Sequence, residues 1–407
     1  MSKRELMPIE VFQPGKADPT DMYVSRPEIE KQLVETPYSD KASLMIGGAG
    51  SGKSWLYRRF FAEIRAEHAV LPMARDYVMS LRQLIDNELA RLGVSRPSRE
   101  RKFIGTNEGV MLGHEGLREF DGFDALMALA DKLRKKAGRR PAYIVVENVE
   151  QGLTDSSGRF VTDMINLVMS SDQLAKSEVR LLLVGADDRL RAALANTAIS
   201  EPHMRRLHRP MEVTSFTESE ARIYLDRGFR QKLGIRIKDI DELVRACHDA
   251  TDLRPDLLSE YCLLLAKAAR NRLRVVEDFD IATANQAWGE TKLSPYLERI
   301  ATAMNTRDTR KRIRNKMLYA LSRRAMRGYT RQNIQDFLRE DFPTETFQSN
   351  EITSALQALC MQDTGSEPLL RRFGSDSSPL FAFAGATERV ATVFALGRVG
   401  NEIRLNS

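Results

Sequence analysis

The chain is 407 residues long, enough for two or three domains with separate cores and too long for a minimal binding module. Hydrophobic residues make up 42% and charged residues 29%, which excludes wholesale disorder, and no run approaches the ~20 apolar residues of a membrane span. The net charge of +6 is a modest bias toward polyanions, so where the charge sits matters more than its sum. Met1–Glu5 run into polar sequence without an apolar core, which predicts no secretory signal and a cytoplasmic protein. Cys247, Cys262 and Cys360 are too far apart for a CxxC site and predict buried thiols, and the histidines, His203 and His208 among them, form no ligand set.

Over residues 42 to 195, short apolar runs alternate with amphipathic stretches, which predicts βαβ units and a parallel sheet. Leu44–Ile46 is the first core strand. A helix over 54–66, a short run over 69–73 and a helix over 80–92 follow. The polar segment 93–118, with Gly105, Gly109, Gly113 and Gly116, reads as a long loop or insertion. A helix over 123–136 leads to the strongest strand, 143–146, and a second strong run covers 180–184. Both are continuous Val/Ile/Leu runs of the kind buried parallel strands show. From 217 to 271 the period is wholly helical. Beyond Pro295, helices over 318–326, 331–338 and 349–361 precede strands at 369–373 and 380–383, the order of a winged helix-turn-helix. The expected class is therefore α/β: a parallel sheet with helices on both faces (1–212), an all-helical lid (213–292) and a C-terminal winged helix-turn-helix (293–407).

Gly47-Gly48-Ala49-Gly50-Ser51-Gly52-Lys53-Ser54 fits G-x-x-x-x-G-K-[ST] in full and lies between an apolar strand and a helix, the context of a P-loop NTPase. Glycines let successive N–H groups turn inward around phosphates, and the following helix adds its positive end. Lys53 would reach the β- and γ-phosphates of ATP, and Ser54 would ligate Mg²⁺. Such a site also needs a carboxylate at the end of a neighbouring strand. The run Ile144–Glu150 supplies Glu147 for the Mg²⁺ shell where an Asp is usual, and Asn148 where a Glu usually polarises the attacking water. Asparagine can orient water but not take its proton, a loss of about 10²- to 10⁴-fold in rate. Period-2 alternation puts Glu150 on the side of Asn148, so it can substitute if the chain turns there. Slow hydrolysis, suited to a switch, is the expectation.

On these residues the chain resembles the AAA+ ATPases, in the branch of replication-initiator, transposition-associated and secretion-associated ATPases, with some likeness to the signalling ATPases called STAND. The resemblance covers roughly residues 20 to 290, and more weakly the winged-helix end. It implies that Tyr23–Glu30, with Arg26, lies against the adenine. It implies that the strand in 179–190 carries a polar sensor near Asp187, and that Arg205 and Arg206 lie where the family has an arginine finger offered to a neighbouring copy. Arg254, in Thr251–Pro255, takes the place of the sensor on the lid. A finger given in trans implies a homo-oligomer.

Between Arg307 and Arg331 there are ten cations against Asp308 alone, a local balance of +9 that exceeds the whole chain's +6. Arg312, Arg314, Arg323 and Arg324, with Arg371 and Arg372 from the wing, are the expected phosphate-backbone contacts for DNA. The candidate recognition helix, 349–361, carries no Lys or Arg, so base-specific readout is poorly supported. Three functions stay open. One is an ATP-binding, slowly hydrolysing switch that oligomerises and engages DNA. Another is a signalling or defence ATPase that scaffolds a separate effector protein through a docking wing. The third, which Asn148 keeps open, is a nucleotide-binding structural protein without turnover.

Overall fold

The computed structural model describes residues 6–13, 21–74, 79–94, 123–152, 159–185, 206–305, 311–324, 328–361, 368–375, 378–384 and 386–405. All but the first two residues of the expected 93–118 loop lie outside the described residues. So do Asp187, Arg205, Arg307, Arg310 and Arg327. The chain divides into two compact units, 17–214 and 1–16 with 215–407. Among the described residues no helix is long and apolar enough to cross a membrane.

The first unit is built on a five-stranded sheet, β1 (Ser43–Ile46), β2 (Glu67–Pro72), β3 (Ala142–Glu147), β4 (Val179–Val184) and β5 (Met211–Glu212), in the order β2-β3-β4-β1-β5. All pairs are parallel. Successive strand residues face opposite sides, and both sides are buried. Leu44, Ile46, Ile144, Val146, Leu181 and Leu183 enter one core. That core is closed by α4 (Leu81–Arg91), α5 (Phe123–Ala137) and α7 (Arg159–Met169). Met45, Tyr143, Val145, Leu182 and Val184 enter the other core, with α2 (Pro27–Glu35) and α3 (Lys53–Glu63). Truncating Leu182 to Ala is expected to cost ~2–5 kcal/mol. In the second core Phe61 stacks on Tyr143 at 4.3 Å, and the Tyr143 hydroxyl lies 2.9 Å from Thr36 Oγ1. Burial pushes the Tyr143 hydroxyl up to about 12. The register pairs Glu147 with Val184 and Met45 with Val184, so β3, β4 and β1 end together at one edge of the sheet. Ligands of open α/β sheets bind beyond that edge. Helices α7 and α8 (Ser171–Lys176) between β3 and β4 were not among the sequence expectations.

In the second unit the described residues 6–13, which hold α1 (Pro8–Val11) and whose sequence position suggested the first domain, take part through Phe12, which packs on Phe229 at 5.0 Å and on Tyr224 at 5.8 Å. The helices α9 (Glu218–Leu225), α10 (Ile240–Thr251), α11 (Pro255–Arg270), α12 (Asp278–Trp288) and α13 (Ser294–Ala303) follow. The buried Trp288 Nε1 donates to the Ala250 carbonyl at 3.0 Å. The region expected to be wholly helical also contains a short strand, β6 (Arg236–Ile237), paired in parallel with β7 (Val275–Val276). Two residues are too few to leave a period-2 pattern.

Next come α14 (Ile313–Ser322), α15 (Arg331–Asp341) and α16 (Ser349–Cys360), then an antiparallel pair, β8 (Leu370–Ser375) and β9 (Ser378–Phe383). The first of these helices starts at Ile313, five residues before the expected Leu318, because Arg312 at φ 43° breaks the chain direction ahead of it. Helix α17 (Ala386–Ala395) and the hairpin β10 (Leu396–Val399) with β11 (Glu402–Leu405) extend the expected order. Cys247 and Cys262 are buried free thiols, and Cys360 is half-buried.

Candidate phosphate-binding site

The loop 47–52 leaves β1 and turns into α3 over backbone that side chains would obstruct. A β-carbon at Gly47 would fall 2.1 Å from the Val213 carbonyl oxygen. Gly52, the N-cap of α3, is left-handed at φ 92° and offers no side-chain cap to the first turn. The first N–H groups of a helix lack intrahelical partners, so this end presents donors and a positive dipole to the loop. Ser51 Oγ is buried with no hydrogen-bond partner. Lys53 Nζ lies 2.8 Å from the Gly47 carbonyl and 2.9 Å from that of Gly48, which folds the amine over the loop. Side-chain-free glycines, a helix start, an unsatisfied hydroxyl and a folded-over amine together suit a polyphosphate.

Glu147, at the end of β3, reaches the first turns of α3. Its Oε1 accepts from Ser54 Oγ at 2.8 Å and from the Tyr57 hydroxyl at 2.8 Å, and Oε2 lies 3.8 Å from Arg58 Nη2. Burial first, and then the Glu147 charge, push the Tyr57 hydroxyl well above its ordinary range against the Arg58 donor, so it stays a donor at neutral pH. Tyr57 and Arg58 were not among the expected site residues. Ser54, Tyr57 and Arg58 stand at i, i+3 and i+4 on one helix face, a spacing visible in the sequence.

Strand alternation stops at Glu147, and the chain turns there. Asn148 is left-handed at φ 57°, a conformation asparagine tolerates better than most residues. Its carbonyl accepts from Gln151 N–H at 2.8 Å and opens the helical turn α6 (Val149–Gly152). That turn sets Glu150 Oε2 3.4 Å from where a Gly185 β-carbon would stand. Gly185 follows β4 directly, and its N–H donates to Met45 of β1 at 3.0 Å. Glu150 thus reaches the end of β4 by a turn.

The remaining candidates are held in other ways. Arg26 is buried, and its Nη1 donates to the Thr214 carbonyl at 2.9 Å, so its guanidinium fastens the segment ahead of α2. Arg206, described where Arg205 is not, donates to the Met169 carbonyl at 2.5 Å and pairs with Asp172 at 2.9 Å within its own unit. Arg254, in the second unit, binds Asp256 at 2.8 Å.

Among the described residues, part of the +9 over 307–331 is tied to carboxylates. Lys311 meets Glu351 at 2.8 Å, Lys316 meets Glu345 at 2.5 Å, and Arg324 meets Asp341 at 2.7 Å and Glu340 at 3.0 Å. The Lys316 side chain is only 6% exposed. Arg323 lies 3.6 Å from the Tyr319 ring centre and donates to the Leu396 carbonyl at 3.0 Å. The count missed carboxylates that α15, α16 and the loop between them bring back against the segment. Arg312 and Arg314 are half-buried, and Arg371 and Arg372 on β8 are exposed.

No protein-family model matches the sequence, and no curated protein matches it. Solved structures do. A Walker-type ATPase of Pyrococcus abyssi aligns at a TM-score of 0.53 and 16% identity, over 94% of this chain and 99% of that one. The Aeropyrum pernix ORC2 protein, in its ADPNP–ADP complexes, aligns at 0.50 and 15%, over 95% of this chain and 96% of that one. The chain shares the fold of these two structures, with a glycine-rich loop between β1 and α3 at the edge of a parallel α/β sheet. At these identities the likeness establishes the fold, and within it the loop 47–54 and Glu147 occupy the ends of β1 and β3.

Proposed function

We propose that the chain is an ATP-binding, slowly hydrolysing switch that oligomerises with nucleotide and engages DNA through its C-terminal region. The observation that carries the reading is the convergence of the glycine-walled loop, Lys53, and the Ser54–Glu147 hydrogen bond of 2.8 Å at one sheet edge. Gly47, Gly48, Ala49, Gly50, Ser51 and Gly52 wrap the phosphates with backbone N–H groups, Lys53 neutralises the terminal charge, and Ser54 with Glu147 holds Mg²⁺. Bound Mg²⁺ supplies charge neutralisation across the phosphate oxygens. Tyr57 holds the longer glutamate arm against Ser54. Asn148 orients water, and Glu150 takes its proton. Arg205 or Arg206 serves a neighbouring copy, which for Arg206 requires release of Asp172. Arg26 keeps the adenine-side segment in place, and Arg254 has the sensor role that the resemblance implies. Of the three expected parts, 1–212, 213–292 and a winged helix over 293–407, this reading keeps the last two and begins the first after residues 6–13, which pack with the second unit.

A second reading has an observation of its own. The pairing of Lys311, Lys316 and Arg324 with carboxylates leaves fewer cations for a phosphate backbone, and this favours a docking wing that adapts a STAND-like scaffold to a separate effector. Particle mass, measured with a non-hydrolysable ATP analogue with and without duplex DNA, separates the two. A DNA-dependent assembly supports the first reading, and a nucleotide-dependent assembly indifferent to DNA supports the second. A monomer under every condition contradicts both.

A further inference from the structure

Four side chains meet at the end of β3, where three of them divide the two oxygens of Glu147. Oε1 accepts from the hydroxyls of Ser54 and Tyr57, each at 2.8 Å, while Oε2 faces the guanidinium of Arg58 at 3.8 Å. Arg58 Nε also donates to the Tyr57 oxygen at 3.2 Å, so the arginine acts on the carboxylate directly and through the tyrosine. The pair is sheltered: the Arg58 side chain is 26% exposed and that of Glu147 14%. The backbone beneath the carboxylate is fixed on both flanks. Glu147 pairs with Pro72 of β2 and Val184 of β4, and its carbonyl accepts from Met73 N–H at 2.9 Å. A change of partner therefore falls to the side chain.

Ser54 and Glu147 present hydroxyl and carboxylate oxygens, the donor type that Mg²⁺ takes. A guanidinium on the same carboxylate is a resident positive charge, and it disfavours a second cation there. We propose that Arg58 is an internal counter-ion that competes with the divalent metal for Glu147 and so sets the metal concentration at which the site fills. The proposal rests on the reading of Ser54 and Glu147 as the Mg²⁺ holders. Every residue in it lies on α3 or β3, within the first unit. Tyr57 and Arg58 then act in opposite senses: the hydroxyl holds Oε1 beside Ser54, and the guanidinium draws on Oε2. Arg59, the next residue, supplies the contrast. It pairs with Glu63 at 2.9 Å and lies over the Tyr23 ring, 5.7 Å from its centre.

The test uses the full chain and a fluorescent non-hydrolysable ATP analogue, titrated at equilibrium over a series of Mg²⁺ concentrations and in EDTA, so that turnover does not enter the readout. Arg58→Gln and Arg58→Met remove the charge and keep most of the stem, and circular dichroism shows which of them fold. In each folded variant the Mg²⁺ concentration for half of the metal-dependent gain in affinity should fall roughly three- to fivefold, the upper end for a partly exposed ion pair. Affinity in EDTA should stay within about twofold of the wild type. Arg58→Lys keeps the charge and should lie nearer the wild type, and Arg59→Gln should leave the Mg²⁺ requirement unchanged. An unchanged or higher Mg²⁺ requirement in the Arg58→Gln and Arg58→Met variants overturns the proposal. So does an equal fall in Arg59→Gln, which would reduce the effect to the charge of the helix as a whole. Weaker binding in EDTA overturns it as well, since Arg58 would then be a phosphate contact. A wild-type chain that binds the analogue equally with Mg²⁺ and in EDTA, or not at all, overturns the metal-holding reading, and the proposal falls with it.

Discussion

The loop 47–54 and the segment 311–324 both hold residue types that attract phosphate, and the fold treats them differently. In the loop, a β-carbon at Gly47 has no room against Val213, the backbone enters α3 through a left-handed Gly52, and Ser54 finds Glu147 across the sheet. The conformation converges the donors on one place. In the segment, Lys311, Lys316 and Arg324 meet carboxylates 40, 29 and 17 residues further on. The conformation there turns cations into cross-links between helices. Cations counted along a chain measure attraction to a polyanion only after the fold has shown what stands opposite them.

If this contrast holds, changes at the first region should alter nucleotide chemistry, and changes at the second should alter stability. The largest effect is expected from Glu150→Gln, which should lower turnover roughly 10²- to 10⁴-fold with ATP affinity retained. Unchanged turnover would remove Glu150 as the base. Next, Lys316→Ala removes one partner of a mostly buried pair and should cost ~3–5 kcal/mol in denaturant unfolding, with little change in DNA retention. A loss below ~1 kcal/mol, the range of exposed pairs, would return Lys316 to a solvated basic face. Smaller still, Tyr57→Phe keeps the buried ring and removes one hydrogen bond to Glu147, so the Mg²⁺ concentration for half-maximal nucleotide binding should rise roughly three- to tenfold. That shift should vanish in a Glu147→Asp background, where the shorter arm no longer reaches the hydroxyl.

The smallest effect is one of pH. Burial raises the Glu30 carboxyl, but hydrogen bonds from Ser25, Tyr23 and the Arg26 N–H, with the Arg59 charge, outweigh it and hold the group below its ordinary range. A depressed folded value means that the stabilisation is present above the unfolded value and is lost as pH falls through the folded one. Melting temperature should therefore decline below about pH 4.3, the ordinary glutamate range, and Glu30→Gln should flatten that decline. An equal decline in the variant would assign it to other carboxylates.

Much of the first region was legible in the sequence because its signals are contiguous. Eight consecutive residues define the loop, and two unbroken apolar runs define β3 and β4. The i, i+3, i+4 spacing of Ser54, Tyr57 and Arg58 was equally visible. Its meaning depended on Glu147, which lies 90 residues from Tyr57. The strand-to-turn switch at Asn148 was hidden because asparagine is compatible with a strand end and with a left-handed residue alike. In the second region the helices showed through their period. The partners of Lys316 and Arg324 did not, since a pairing between elements leaves no local pattern. Hairpin β10–β11 escaped for a related reason: only Leu396 and Ile403 of its eight residues are buried.

The central claim is that a nucleoside triphosphate binds at the loop through Lys53. Isothermal titration of the full chain with ATP and Mg²⁺ tests it directly, with Lys53→Ala as the comparison and circular dichroism to establish that both are folded. Saturable binding by the wild-type chain that weakens by about a hundredfold or more in Lys53→Ala is the predicted result, since a charge-assisted contact is removed. Equal affinity in the two proteins, or no binding by either, would contradict the account.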